Sequence, residues 1–313
     1  MKTKKSLPRS QSKTRSAQII VIVGPTSSGK TALSVELAKK IDGEIISADS
    51  RQVYRGLDLG TGKVTKKEMA GVPHHLLDVA SPARVFTADD FVRLGRRAID
   101  DTLSRGRIPI VAGGTGFYID TLVGTMAVAN VPPDPKLRAV LEQKSAEQLF
   151  ALLKKLDPAR AATIDQHNPH RLIRAIEIAK AQTPRGEPSV PEGSPLGARY
   201  DILWLGIDMP QEILAQKIHD RLLARLKRGM LAEARALHGR GLSWKRMETL
   251  GLEYRYIARF LQKKISREEF VTQLEAEIRR YAKRQMTWFK RNKEINWISN
   301  KTQALSLAHR FLK

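Results

Sequence analysis

Apolar residues along this chain follow two rhythms. Ile19 to Val23 is an unbroken apolar run, as a strand shows when both its faces are covered. From Ala32 to Ile41, Leu33, Val35, Leu37, Ala38 and Ile41 follow helical spacing, and Gly43 is expected to end that helix. Glu44 to Ala48 reads as a second short strand that delivers Asp49-Ser50-Arg51-Gln52 at its C-terminal end. Val53 to Asp78 is rich in glycine and charge and reads as mostly loop. Thr87 to Asp90 has the spacing of a capping box, with Asp in place of Glu or Gln, and opens a helix through about Leu103. Ile108 to Ala112 is the third expected strand, and it runs straight into Gly113-Gly114-Thr115-Gly116.

From Asn130 the alternation stops. Pro132, Pro133 and Pro135 interrupt it, Lys136 to Ala181 reads as helices, and Thr183 to Gly197, with four prolines and three glycines, reads as a loop or hinge. Ile202 to Ile207 returns the chain to the sheet. Pro210 to His238 is expected as one long helix with Arg221, Arg225 and Arg228 on one face, either solvated or used for binding. Ser266 to about Lys293 is a further helix, and Ile295 to Ile298 a last strand. The expected organisation is a basic, disordered tail (1–17), a first core segment (18–129), a helical insertion (130–199) and a second core segment with basic C-terminal helices (200–313).

The first strand leads into Gly24-Pro25-Thr26-Ser27-Ser28-Gly29-Lys30-Thr31, the spacing of a phosphate-binding P-loop. Its glycines let backbone N–H groups turn inward, and the helix that follows adds its positive end. Lys30 adds a point charge, and the Thr31 hydroxyl is suited to a magnesium ion bridging phosphates. Strand, loop and helix in this order predict an α/β fold: a P-loop NTPase-like parallel sheet flanked by helices, with an all-helical insertion domain. The motif specifies a polyphosphate without specifying a nucleotide. Phosphoryl-transfer enzymes of this class hold magnesium with an Asp at another strand end. The strand ending at Gly113 offers none, which leaves Asp49 as the acid that a strand end positions, whether as metal ligand, base, substrate-orienting group or turn former.

Composition narrows the partner. The 313 residues carry a formal net charge of +23, more than a small phosphate substrate needs, which points to a large anion such as nucleic acid. There is no cysteine, which excludes disulfides and Cys-based zinc sites and fits a reducing cytoplasm. No apolar run is long enough to span a bilayer, so no membrane partner is expected. His74, His75, His167 and His170 lack the companions of a tetrahedral site and are not read as metal ligands. No heptad seam is evident, so a monomer is expected.

In order and spacing, G-P-T-S-S-G-K-T, I-S-A-D-S-R-Q-V-Y-R-G-L-D-L-G-T-G-K, P-H-H-L-L-D-V, V-A-G-G-T-G-F-Y, N-P-H-R-L-I-R-A-I-E and A-K-R-Q-M-T-W-F resemble the tRNA dimethylallyltransferases from about Ile19 to Trp297. The resemblance implies transfer of a five-carbon group from dimethylallyl diphosphate to the exocyclic N6 amine of the adenosine 3′ of a tRNA anticodon, with Mg2+ at Thr31. It implies Asp49 as the base, Thr115 as a hydrogen-bonding residue and Arg221 as a diphosphate-binding arginine. It places tRNA contacts at Asp49, Ser50, Arg51, Gln52 and Thr115 and, in the insertion, at Arg138, His170, Arg171, Leu172, Ile173 and Arg174; for Arg171 and Arg174, which share one helix face, pairing with Glu177 is the structural alternative. On the basic helix Lys283, Arg284, Lys290 and Arg291 are expected on phosphates, with Trp288 and Phe289 either stacking on bases or, the favoured reading, anchoring the helix to the core. Around Leu250 the chain reads L-G-L-E-Y-R and departs from the usual pattern, so no contact is carried over there. An adenylate isopentenyltransferase, a nucleotide kinase and a noncatalytic RNA-binding protein remain as alternatives.

Overall fold

Ile19, Val21 and Val23 pack into one apolar core and Ile20 and Ile22 into another, on opposite faces of the same strand. That is why the run is apolar throughout. The computed structural model describes residues 17–126, 129, 131–181 and 200–313. The expectations for the tail at 1–16 and the hinge at 183–197 lie outside them. Among the described residues, β1 (Ala17–Val23), β2 (Gly43–Ala48), β3 (His74–His75), β4 (Ile108–Gly113), β5 (Tyr200–Ile207) and β6 (Asn296–Ile298) form one sheet in the order β3-β2-β4-β1-β5-β6. Every neighbouring pair is parallel, so β1, β2 and β4 present their C-terminal ends along one edge. The expected parallel sheet flanked by helices is the fold observed.

The helices Ala88–Ser104 and Gly116–Val123 cover one face, and Lys30–Ile41 and Lys301–Leu312 cover the other. Thr87 caps the first of these through a reciprocal box with Asp90, as its spacing predicted. The chain divides into two compact units, 1–126 with 195–313 and 127–194. The described elements of the second unit are the helices Pro135–Leu141, Ala146–Leu156, Pro158–Ala161 and Pro169–Ala181, packed around Leu141, Leu149, Leu153, Leu172 and Ile176.

The helix expected over Pro210–His238 is two helices, Gln211–Lys227 and Met230–Gly239. Gly229 adopts φ +99°, a left-handed turn that the apolar periodicity does not reveal. Arg228 is the residue that ends the first helix. Gly43 does not terminate the preceding helix: Asp42 does so in a left-handed conformation. Gly43 opens β2, where a Cβ would lie 2.9 Å from Ile110 Cδ1 and 3.0 Å from the Ile108 carbonyl. The segment expected to be mostly loop contains the short helix Lys66–Met69, capped by Thr65, as well as β3.

Glu44, at the start of β2, is 3% exposed. Its carboxylate accepts hydrogen bonds from Arg105, from Arg107 at 3.2 Å and from Thr102 at 3.3 Å, and it pairs with His75 Nε2 at 2.7 Å. Burial opposes its ionisation, but the bonds to Arg105 and His75 outweigh that and hold its pKa at about 2. A carboxylate depressed in the folded state contributes stability above its unfolded pKa and loses it as pH falls toward the folded value. Glu44→Gln is therefore expected to cost about 1–3 kcal/mol at neutral pH. It should also flatten the acid limb of the stability curve between about pH 4.5 and pH 2, measured by urea denaturation across pH.

Candidate active site

The P-loop leaves β1 at Gly24 (φ +150°) and turns through Ser27 (φ +64°) and Gly29 (φ +93°) into the helix that begins at Lys30. Helix geometry leaves the first amides of that helix without intrahelical partners, facing the space an anion would fill. Lys30 Nζ folds back on the Pro25 carbonyl at 2.7 Å. Burial lowers its pKa to about 7, the nearby Arg221 adds to the shift, and Asp49 opposes it. The Ser28 hydroxyl is buried without a hydrogen-bond partner.

The end of β2 places Asp49 on the same edge. Its Oδ1 accepts from the Arg51 and Gln52 amides at 2.8 and 3.3 Å, and its Oδ2 lies 3.5 Å from Gln52 Nε2. Asp49 is thus a turn former that also faces the cleft. Thr115, after β4, accepts the Ser50 N–H at 3.1 Å and ties the two strand ends together. The glycines before it permit close contact. A Cβ on Gly113 would lie 2.1 Å from the Ala48 carbonyl oxygen, and one on Gly114 would lie 2.2 Å from Gln285 Nε2.

The segment 57–63 forms another wall of the site. Glu233 accepts the amides of Asp58, Leu59 and Gly60 at 3.0, 2.7 and 3.0 Å. Arg221 donates to the Gly62 carbonyl at 2.9 Å, and Arg225 to the Gly60 carbonyl at 3.0 Å and to Glu253 at 3.1 Å. Buried Lys63 reaches the Tyr54 carbonyl at 2.8 Å and Asp58 at 2.7 Å. Gly60 and Gly62 leave room for Tyr254 and Arg221 respectively. Arg221 and Arg225 therefore form an inward pair holding a loop, and the arginine face expected from the sequence ends there. Burial lowers the pKa of Arg221, and Arg225 adds to the shift.

Together these elements enclose a cleft of about 780 Å³. Thr26, Ser27, Gly29, Lys30, Thr31, Asp49, Gln52 and Arg221 all line it. So do Lys217, Asp220, Tyr281 and Gln285, none of which had an expected role, although Gln285 stands in the A-K-R-Q-M-T-W-F stretch. The i, i+4 spacing of Tyr281 and Gln285 on one helix was the available signal. Burial pushes the Tyr281 hydroxyl pKa up, with the Asp49 charge adding to it. No cluster of His, Cys, Asp or Glu able to hold a metal occurs among the described residues.

The other proposed RNA-contacting residues fall into two groups. Lys283 and Arg284 are exposed on the helix Arg267–Phe289, which Phe289 and Trp288 anchor, the latter donating to Asp120 at 2.8 Å. In the helical unit His170 and Arg171 are exposed, whereas Leu172 and Ile173 are core residues whose side chains pack internally. Arg138 grips buried Glu177 with two bonds of 2.7 Å, and Arg174 pairs with it at 3.3 Å and donates to the Val131 carbonyl at 2.7 Å.

Across residues 52–292 the chain matches the pattern of the family described as IPP transferase. The chain belongs to the IPP transferase family. It is 45% identical over 287 residues to tRNA dimethylallyltransferase 2 of Treponema denticola, covering 89% of this chain and 95% of that relative. It is 39% identical over 302 residues to tRNA dimethylallyltransferase 1 of Geotalea uraniireducens, covering 95% and 98%. A tRNA isopentenylpyrophosphate transferase of Bacillus halodurans has a similar crystal structure, with TM-score 0.69 and 35% identity over 94% of this chain and 95% of that one. A eukaryotic dimethylallyltransferase captured acting on tRNA gives TM-score 0.76 at 26% identity, over 94% of this chain and 77% of that one.

In this family member the low pKa of Lys30 has a consequence for anion binding. A bound diphosphate favours the ammonium form, so binding takes up a proton wherever the free lysine is neutral. Affinity for inorganic diphosphate should accordingly fall as pH rises above about 7, with a limiting log–log slope of about −1. Calorimetry in buffers of different ionisation heat should detect the proton uptake, and Lys30→Met should abolish it.

Proposed function

We propose that the protein transfers the dimethylallyl group from dimethylallyl diphosphate to the N6 amine of the adenosine 3′ to a tRNA anticodon, as a cytoplasmic monomer. The observation that carries this reading is the placement of Asp49 and Thr115 at adjacent strand ends on the same edge as the P-loop, with no carboxylate at the end of β4. A kinase of this class would use such a carboxylate to handle magnesium. Among the described residues, no helix is long and apolar enough to cross a membrane.

In the proposed reaction the allylic C–O bond breaks and a C–N bond forms at the adenine amine. Negative charge grows on the departing diphosphate. The amides at the start of the Lys30 helix, Arg221, and Lys30 once its Nζ turns from the Pro25 carbonyl are proposed to meet that charge, where fixed donors lower the barrier. The acceptor amine loses a proton, which Asp49 Oδ2 takes while Oδ1 stays held by the Arg51 and Gln52 amides. Gln52 is suited to reading the adenine edge through paired hydrogen bonds, and Thr115 steadies the acceptor side. The base must be turned out of the RNA to reach this edge.

Thr31, exposed on the cleft wall, offers a hard oxygen donor that would hold a magnesium ion. Such an ion would supply additional charge neutralisation to the leaving group. Lys283, Arg284, His170 and Arg171 are proposed to contact RNA phosphates. Arg138 and Arg174 are proposed to shape the helical unit through Glu177, and their contribution to RNA binding is indirect.

Purified protein incubated with magnesium, unmodified tRNA and labelled dimethylallyl diphosphate should place label in tRNA and none in AMP. Asp49→Asn, which keeps an oxygen for the Arg51 and Gln52 amides, should reduce that rate by about 10²–10⁴-fold while leaving tRNA affinity within about two-fold. Label moving to AMP, or phosphate transfer from ATP, would overturn the assignment. If about six phosphates are contacted, the log–log dependence of tRNA affinity on salt should have a slope near −4. Replacing both Lys283 and Arg284 by Ala should reduce that slope by about 1.4.

A further inference from the structure

Gln285 is 6% exposed, yet it carries a primary amide to the wall of the cleft beside the P-loop. Burying an amide is unfavourable unless both ends are satisfied, and here both are. The Thr26 N–H donates to Gln285 Oε1 at 2.8 Å, and Gln285 Nε2 donates to the Gly114 carbonyl at 2.8 Å. One partner is a donor and the other an acceptor, so only one orientation of the amide fits. Glycine at 114 is what lets the amide approach, because a Cβ there would overlap Nε2.

These bonds divide the P-loop into two parts. Pro25 has no N–H, the Ser28 N–H goes to the Pro25 carbonyl, and the Thr26 N–H is taken by Gln285. The Thr26 amide is thus fastened to protein and withdrawn from the anion, which the amides at the start of the Lys30 helix still face. On its other side Gln285 holds Gly114, the residue next to Thr115, which in turn holds Ser50 beside Asp49. A path of hydrogen bonds, joined through the Gly114–Thr115 backbone, runs from the leaving-group loop through the Gln285 and Thr115 side chains to the acceptor loop.

We propose that Gln285 is a positioning residue that sets the separation between the diphosphate-binding loop and the Asp49–Thr115 acceptor edge. The inference rests on the reading of the cleft given above. Distance between reacting groups is a large component of rate, and a small misplacement from a residue outside the chemistry lowers it steeply. Neighbouring residues on the same helix have separate tasks: Trp288 anchors to Asp120, and Lys283 and Arg284 face outward.

The test uses Gln285→Met, which keeps the volume and removes both bonds, and Gln285→Glu. Readouts are the dimethylallyl diphosphate Kd, the single-turnover transfer rate per folded enzyme and the tRNA Kd. Gln285→Met should weaken diphosphate binding by about 10-fold and slow transfer by about 10²-fold, with tRNA affinity within about two-fold of wild type. In Gln285→Glu a protonated carboxyl can both accept from Thr26 and donate to Gly114, so its transfer rate relative to wild type should recover as pH falls from about 8 to about 5.5. A purely structural role would not generate that inverse pH dependence. Gln285→Met transferring within about two-fold of wild type, or a pH-independent Gln285→Glu ratio, would overturn the role of Gln285 alone. A wild type that fails to bind dimethylallyl diphosphate would overturn the reading of the cleft, and this inference with it.

Discussion

The Ala48 carbonyl oxygen lies 2.1 Å from the point where a β-carbon on Gly113 would have to be. No side chain fits between the ends of β2 and β4, and the site depends on that contact. It lets the Ser50 N–H reach Thr115 Oγ1, and so sets Asp49 beside the residue that follows β4. The glycines of this second loop differ in purpose from those of the P-loop. In the P-loop, glycine allows backbone turns that aim amides at an anion. At Gly113, Gly114 and Gly116 it makes room for Ala48, Gln285 and Trp288.

The wall opposite the sheet edge is held by charge buried under a loop. Glu233 collects successive amides of the 58–60 segment, and Arg225 returns a bond to the Gly60 carbonyl while paired with Glu253. A carboxylate meeting amides and a guanidinium meeting carbonyls give an irregular segment the partners it would have in regular structure. Arg221 on the same helix is thereby presented to the cleft with its position fixed through Gly62. Glu253 and Tyr254, in the stretch that departs from the usual family pattern, belong to this support: Tyr254 donates to Glu233 and fills the space that Gly60 leaves.

Much of this was legible in the chain, because local rules act within a few residues. The continuous apolar run of β1, the P-loop spacing and the Thr87 capping box each encode their structure in adjacent positions. What escaped reading depends on partners far away in sequence. Gly229 interrupts a helix whose apolar rhythm continues across it, and only backbone geometry separates the two halves. Arg225 looks like part of a solvated face until Gly60 and Glu253 are brought beneath it. Gln285 sits among basic residues that suggest RNA, and its partners Thr26 and Gly114 are 259 and 171 positions away. Leu172 and Ile173 lie within a stretch associated with RNA contact, yet they are there to build a core.

The strand order has a further consequence for synthesis of the protein on the ribosome. β1 emerges first, and its partner on one side, β5, pairs from Tyr200 onward. Until then the growing chain carries an unpaired edge on its most apolar strand, the kind of surface that chaperones cover and that aggregation recruits. The P-loop is translated early, but the side chain that fastens Thr26 arrives only with residue 285. An incomplete nascent chain therefore lacks both sheet closure and the strap across its anion loop, and completion of the cleft coincides with completion of the sheet by β6.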